Sequence, residues 1–110
     1  MIDETLKQLQ SRIQDAPSIR EEKKSELLTL IGSLKEEIDE LSTDHREVAE
    51  SITGFAGVSA HEATRESPQD GLIEVATKGL RDSVEEFEAT HPRLVEIVHQ
   101  VSTTLSNMGI

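Results

Sequence analysis

Nine positions between Leu27 and Phe55 are spaced alternately four and three residues apart: Leu27, Ile31, Leu34, Ile38, Leu41, His45, Val48, Ile52 and Phe55. On an α-helix that spacing makes one stripe, and its mean of 3.5 residues is the heptad period of coiled coils. The register puts Ile31, Ile38, His45 and Ile52 at the a positions, and Leu27, Leu34, Leu41, Val48 and Phe55 at d. A chain with this pattern is expected to be all-α and to bury the seam against other helices.

Further helices are marked by similar stripes. Ile2, Leu6, Leu9 and Ile13 predict a helix over about 2–14, ended by Ala16-Pro17, because the residue before a proline is pushed out of the helical region. Ser18, three residues before Glu21, reads as a capping box, so the seam helix is expected over 19–56. Gly54 and Gly57 are read as its end, and 57–67 as a loop without periodicity. Ser67-Pro68-Gln69-Asp70 then reads as a helix start, with Ile73, Ala76, Leu80, Val84 and Phe87 as the stripe of a helix over 68–89. Thr90-His91-Pro92 breaks the chain. A last helix over 92–108 carries Leu94, Val98, Val101, Leu105 and Met108. The ending Met108-Gly109-Ile110 fits a Schellman motif in which Ile110 folds back on the final turn. Asp44 and Glu47 also form a cap-like pair, but the register running through them favours one continuous helix.

These elements predict a single helical domain built as a long hairpin with coiled-coil-like packing. Ile19 to Phe55 would span about 55 Å at 1.5 Å per residue, matched by the returning arm from Pro68 to Met108. Leu28 and Leu30 widen the apolar face of one arm, and Val95 and Ile97 that of the other. Two helices cannot cover faces that wide, whereas two hairpins forming a four-helix bundle can. A homodimer is therefore expected. A parallel two-stranded coil ranks second, because the flanking positions Leu28, Leu30, Lys35, Glu37, Ser42, Asp44 and Ala49 make no ladder of opposite charges.

Composition narrows the function. With two Phe and neither Tyr nor Trp, the core must be made of Leu, Ile and Val. The net charge is −11. Residues 1–26 carry five basic and six acidic groups, 27–66 three and nine, and 67–110 three and seven. No segment has the basic surplus that direct phosphate binding requires, and the same field disfavours anionic membranes. No run approaches the roughly 18 apolar residues of a membrane span. The acidic, amphipathic start lacks the form of a signal peptide, so a cytoplasmic location is expected. Without Cys there is no thiolate chemistry.

The run Phe87-Glu88-Ala89-Thr90-His91-Pro92-Arg93-Leu94, together with the ending Leu105-Ser106-Asn107-Met108-Gly109-Ile110, resembles the signature of DUF4404, a bacterial family of small uncharacterised proteins. The likeness covers roughly residues 1–41 and 75–110, while the middle, about 42–74, is longer than the family pattern. It implies a helical fold and leaves the activity open.

The residues themselves offer few sites. Glu88 with His91 and Glu96 with His99 have the Glu-x-x-His spacing of di-iron bundles, but acids are 22 of 110 residues and there are four His, so chance alone gives about 0.8 such pairs and two are unremarkable. No metal, cofactor or catalytic residue is assigned, and the chain is not expected to be an enzyme. A metal-binding bundle using Glu88, His91, Glu96 and His99 is the alternative from another class. His45, polar in an apolar seam, reads as a register-fixing residue or as a pH switch if buried. Glu36, Glu37, Asp39 and Glu40 read as a solvated face, or as a patch for a basic protein if the chain mimics nucleic acid. The expected function is a non-enzymatic helical interaction or structural module acting as a homo-oligomer. Its interaction residues would be Leu27, Ile31, Leu34, Ile38, Leu41, His45, Val48, Ile52, Phe87, Pro92 and Ile110.

Overall fold

The seam residues of the second helix lie at the centre of the fold. The structure is a computed structural model that describes residues 2–17 and 19–108. Among them are α1 (Ile2–Asp15), α2 (Glu21–Ser42), α3 (Arg46–Ala63), α4 (Asp70–Asp82), a 3-10 turn (Glu85–Phe87) and α5 (Pro92–Met108). No strand occurs among the described residues. α1 packs on α2 and α3, α5 packs on α2, α3 and α4, and α3 pairs with both α2 and α4.

The first helix forms as its stripe predicts, burying Leu6, Leu9 and Ile13. The second starts at Glu21, two residues later than expected. Arg20 is extended there (φ −66°, ψ 147°) and caps without a side chain, its carbonyl accepting the Lys24 N–H at 2.8 Å. The expected Ser18 cap falls outside the described residues.

The single helix over 19–56 does not form. α2 ends at Ser42, Thr43 and Asp44 turn, and His45 (φ −136°, ψ 61°) is the N-cap position of α3. The Leu41 carbonyl accepts from both Asp44 N–H (3.2 Å) and His45 N–H (2.9 Å). A helix of about 55 Å would project beyond a molecule whose longest extent is 37 Å, leaving half its stripe in water. Ser42-Thr43-Asp44-His45 is the one stretch of the seam where a bend exposes no apolar side chain. Ser, Thr and Asp also compete with helical bonding through their own side chains, and Ser42 Oγ donates to the Asp39 carbonyl at 2.8 Å.

The break divides the seam. Leu27, Ile31, Leu34, Ile38 and Leu41 are buried on α2, and Ile52 is buried on α3. Val48 is half-buried, whereas His45 and Phe55 are exposed. His45 is therefore not a seam residue, and a pH switch driven by its burial has no basis.

α3 continues to Ala63 through the expected loop. Gly54 and Gly57 do not stop it, since neither has the positive φ of a left-handed C-cap. Its buried face is Ala49, Ile52, Thr53, Ala56, Ser59, Ala60 and Ala63, helical in period but made of side chains too small to stand out as an apolar stripe.

α4 opens at Asp70, with Gln69 accepting from Leu72 and Ile73 N–H, both at 3.1 Å; Ser67 and Pro68 stay outside. It buries Ile73, Ala76 and Leu80 and ends at Asp82, not near 89. The tight turn that follows swings Val84 and Phe87 into the core. Pro92 starts α5, a position where its missing N–H costs nothing. The expected packing of Ile110 falls outside the described residues.

The two-arm hairpin thus folds up within one chain. Leu28, Leu30 and Val95 pack partly buried against the core, and Ile97 is buried. The widened stripes are covered by neighbouring helices, so they no longer call for a second copy.

One contact works against the fold. The carboxyl of Asp39 on α2 faces that of Asp3 on α1 within hydrogen-bonding reach, and partial burial, followed by that neighbouring charge, raises the Asp39 pKa above the usual 3.8. A carboxyl with a raised folded-state pKa takes up its proton first in the folded state, so its penalty is present at neutral pH and relieved as pH falls toward the carboxylate range. Asp39→Asn is expected to raise the melting temperature slightly at pH 7, with the gain shrinking near pH 4. The effect is small because the site is solvent-screened. A Cβ at Gly32, inside α2, would meet nothing within 4 Å, so Gly32→Ala is expected to stabilise by about 1 kcal/mol in urea unfolding.

Candidate interaction surface

α3 and α4 are joined by a short connection and pack against each other as an antiparallel hairpin. Phe55 on α3 lies over Gly79 on α4 so closely that a Cβ on Gly79 would come within 2.6 Å of the ring. Glycine in a helix interior costs about 1 kcal/mol relative to Ala, and here it makes the space in which the ring lies. The ring is still 41% exposed.

Three further large apolar side chains are exposed on the same hairpin. Val58 is one turn along α3 from Phe55, and Leu72 and Val75 are spaced three and four residues along α4 toward Gly79. Their exposures are 51%, 43% and 71%. Among the described residues, Phe55, Val58, Leu72 and Val75 are the large hydrophobic side chains left exposed, and all four belong to this hairpin. Scattered single apolar residues on a surface are ordinary, whereas a gathered set marks a contact face.

The hairpin also carries ion pairs. Arg65 Nη1 donates to Glu62 Oε1 at 2.9 Å, near the loop end of the hairpin. Lys78 Nζ donates to Asp82 Oδ2 at 2.7 Å, near the other end, and that bond with Asp82 raises the Lys78 pKa above its usual value. Val58 also lines, with Leu9, Arg12, Gly54, Gly57 and His61 among others, a groove of about 470 Å3 between α3 and α1. There Arg12 Nη1 meets His61 Nδ1 at 2.8 Å, a contact that requires Nδ1 to carry no proton.

The other expected site residues are structural or dispersed. Phe87 is buried, with the rings of His45 (5.3 Å between centroids, 61°) and His91 (5.6 Å, 85°) set edge-on against it. His91 N–H donates to the Phe87 carbonyl at 2.7 Å, and its Nδ1 lies 3.0 Å from Thr90 Oγ1. The Phe87-to-Pro92 motif thus ties the α2–α3 break to the start of α5. Glu96 and His99 are exposed on α5, while Glu88 and His91 precede that helix. Among the described residues, no three His, Asp or Glu side chains are grouped to hold a metal ion, and no helix is long and apolar enough to cross a membrane.

Sequence reasoning missed Val58, Leu72 and Val75. The available signal was an apolar residue off its helix's stripe: Leu72 and Val75 stand apart from Ile73, Ala76 and Leu80, and Val58 becomes legible once α3 is extended past Gly57.

Gly79→Ala is expected to push the Phe55 ring outward, shifting its NMR resonances, while the melting temperature changes little because helix propensity offsets the lost contact. Unchanged Phe55 resonances would show that the ring does not lie on Gly79.

No curated protein and no solved structure matches the chain. A family model described as a domain of unknown function, DUF4404, matches residues 58–110. The match takes in 58–74, which the resemblance had left out, and does not reach residues 1–41. Residues 58–110, carrying the end of α3, all of α4, the Phe87 turn and α5, belong to DUF4404, a family of unknown function.

Proposed function

We propose that this chain is a non-enzymatic helical interaction module that engages its partner through the outer face of the α3–α4 hairpin. The observation that carries this reading is that Phe55, Val58, Leu72 and Val75, the large hydrophobic side chains left exposed among the described residues, all belong to the α3–α4 hairpin. Elsewhere among the described residues, the large aliphatic side chains are buried or partly buried. Water would be released from these four on contact with another apolar surface, at roughly 25 cal/mol per Å2 of area buried. The seams, expected to be the interacting surfaces, form the core instead, so Leu27, Ile31, Leu34, Ile38, Leu41 and Ile52 support the fold that presents this face.

Site-specific photocrosslinking in cells tests the proposal. A benzophenone side chain at Val75 is expected to give discrete crosslinked products, and the same group at the exposed His99 on α5 to give few. Equal yields at both positions, or none at Val75, would contradict the reading.

A further inference from the structure

We propose that the groove between α1 and α3 binds a small apolar monocarboxylate, whose carboxylate pairs with Arg12 and whose hydrocarbon body lies along Leu9, Gly54 and Val58. The site stands apart from the exposed residues of the α3–α4 hairpin and shares only Val58 with them.

The charges at the groove point to one anionic group. Arg12 Nη1 donates to His61 Nδ1 at 2.8 Å, and among the described residues Arg12 forms no ion pair. Glu4, Lys7 and Asp15 line a separate cleft along α1 with Arg12, and neither acid pairs with it. Glu62, the acid that lines the groove, is answered by Arg65 at 2.9 Å, and its other oxygen lies 3.9 Å from His61 Nε2. Glu66, exposed beside Arg65, does not line the groove. With Glu62 offset by Arg65 and His61 neutral in this contact, Arg12 is the lining charge left unanswered. A ring nitrogen fixes a guanidinium without neutralising it, where a carboxylate would do both. The planar guanidinium keeps further N–H donors for a bidentate carboxylate, and His61 acts as the positioning residue.

The floor of the groove suits an apolar body. Glycine weakens a helix interior, and packing within the chain does not require it at Gly54 or Gly57. A Cβ on Gly54 would meet nothing within 4 Å, and one on Gly57 would meet only Thr5 Cγ2, at 3.6 Å, an ordinary contact. Gly79, by contrast, makes room for the Phe55 ring. The two absent side chains leave bare helix backbone that a ligand can approach closely. Buried Leu9 and exposed Val58 add apolar surface beside it. From Gly54 to His61 the floor runs about 10 Å at 1.5 Å per residue, close to the length of an extended octanoate.

Titration of octanoate into the purified full-length chain, followed by amide NMR, tests the site. Saturable shifts are expected at Gly54, Gly57, Val58 and His61, with Leu72 and Val75 unmoved. Octanamide, of the same shape but uncharged, is expected to bind at least about tenfold more weakly. Arg12→Gln is expected to weaken octanoate binding by a similar factor with helix content by circular dichroism unchanged. Gly54→Leu covers the floor with a better helix former, so binding is expected to weaken while the melting temperature does not fall. No saturable shift with octanoate overturns the inference and leaves the hairpin reading as it stands. Equal binding of octanamide overturns the role given to the carboxylate. Binding unchanged in Arg12→Gln or in Gly54→Leu overturns the placement in this groove. Shifts centred on Phe55, Leu72 and Val75 overturn it as well, because the ligand would then lie on the exposed apolar side chains of the hairpin.

Discussion

The fold depends on the bend at Thr43-Asp44-His45. Without it, the 4-3 stripe from Leu27 to Phe55 would lie on one rod longer than the rest of the chain can cover. With it, α2 keeps the five aliphatic residues that need the deepest burial, and α3 turns back to cover them beside α1 and α5. The Phe87 turn supports the bend from beneath, with the His45 and His91 rings against its aromatic edge or face. A single chain thereby reaches the coverage that a simple hairpin would need a second molecule to provide.

Large side chains at helical spacing were legible before the structure. The stripes of α1 and α2, and that of α5 from Leu94 to Leu105, stand in it as read, because Leu, Ile and Val at three- and four-residue steps leave no other way to bury them. The bend was not legible from that pattern. The heptad register runs straight through it and treats His45 as another seam position, although Asp44 and Glu47 mark a possible helix start. Tertiary coverage decided between these signals. The end of α3 was hidden for another reason. Ala56, Ser59, Ala60 and Ala63 bury little area each, so their period carries little apolar contrast, and Gly54 and Gly57 look like a stop although both adopt ordinary helical backbone.

The same small residues make the candidate surface. Helices carrying Ala, Ser and Gly at their contact approach closely and bury one another with few large side chains. The large ones left exposed on α3 and α4 are Phe55, which lies across Gly79, and Val58, Leu72 and Val75. Seams were expected to form the interface, and the outer hairpin face has taken that place in the account. Its apolar residues were visible in the sequence, but their sidedness depends on α3 running through to Ala63.

Methyl NMR of the wild-type chain across a concentration series tests the whole account most directly. If the core closes within one chain, the methyl signals of Leu27, Leu34 and Ile38 stay fixed as concentration rises. Concentration-dependent shifts at Leu27, Leu34 and Ile38 would contradict it, because they would mean that the seam itself joins one chain to another.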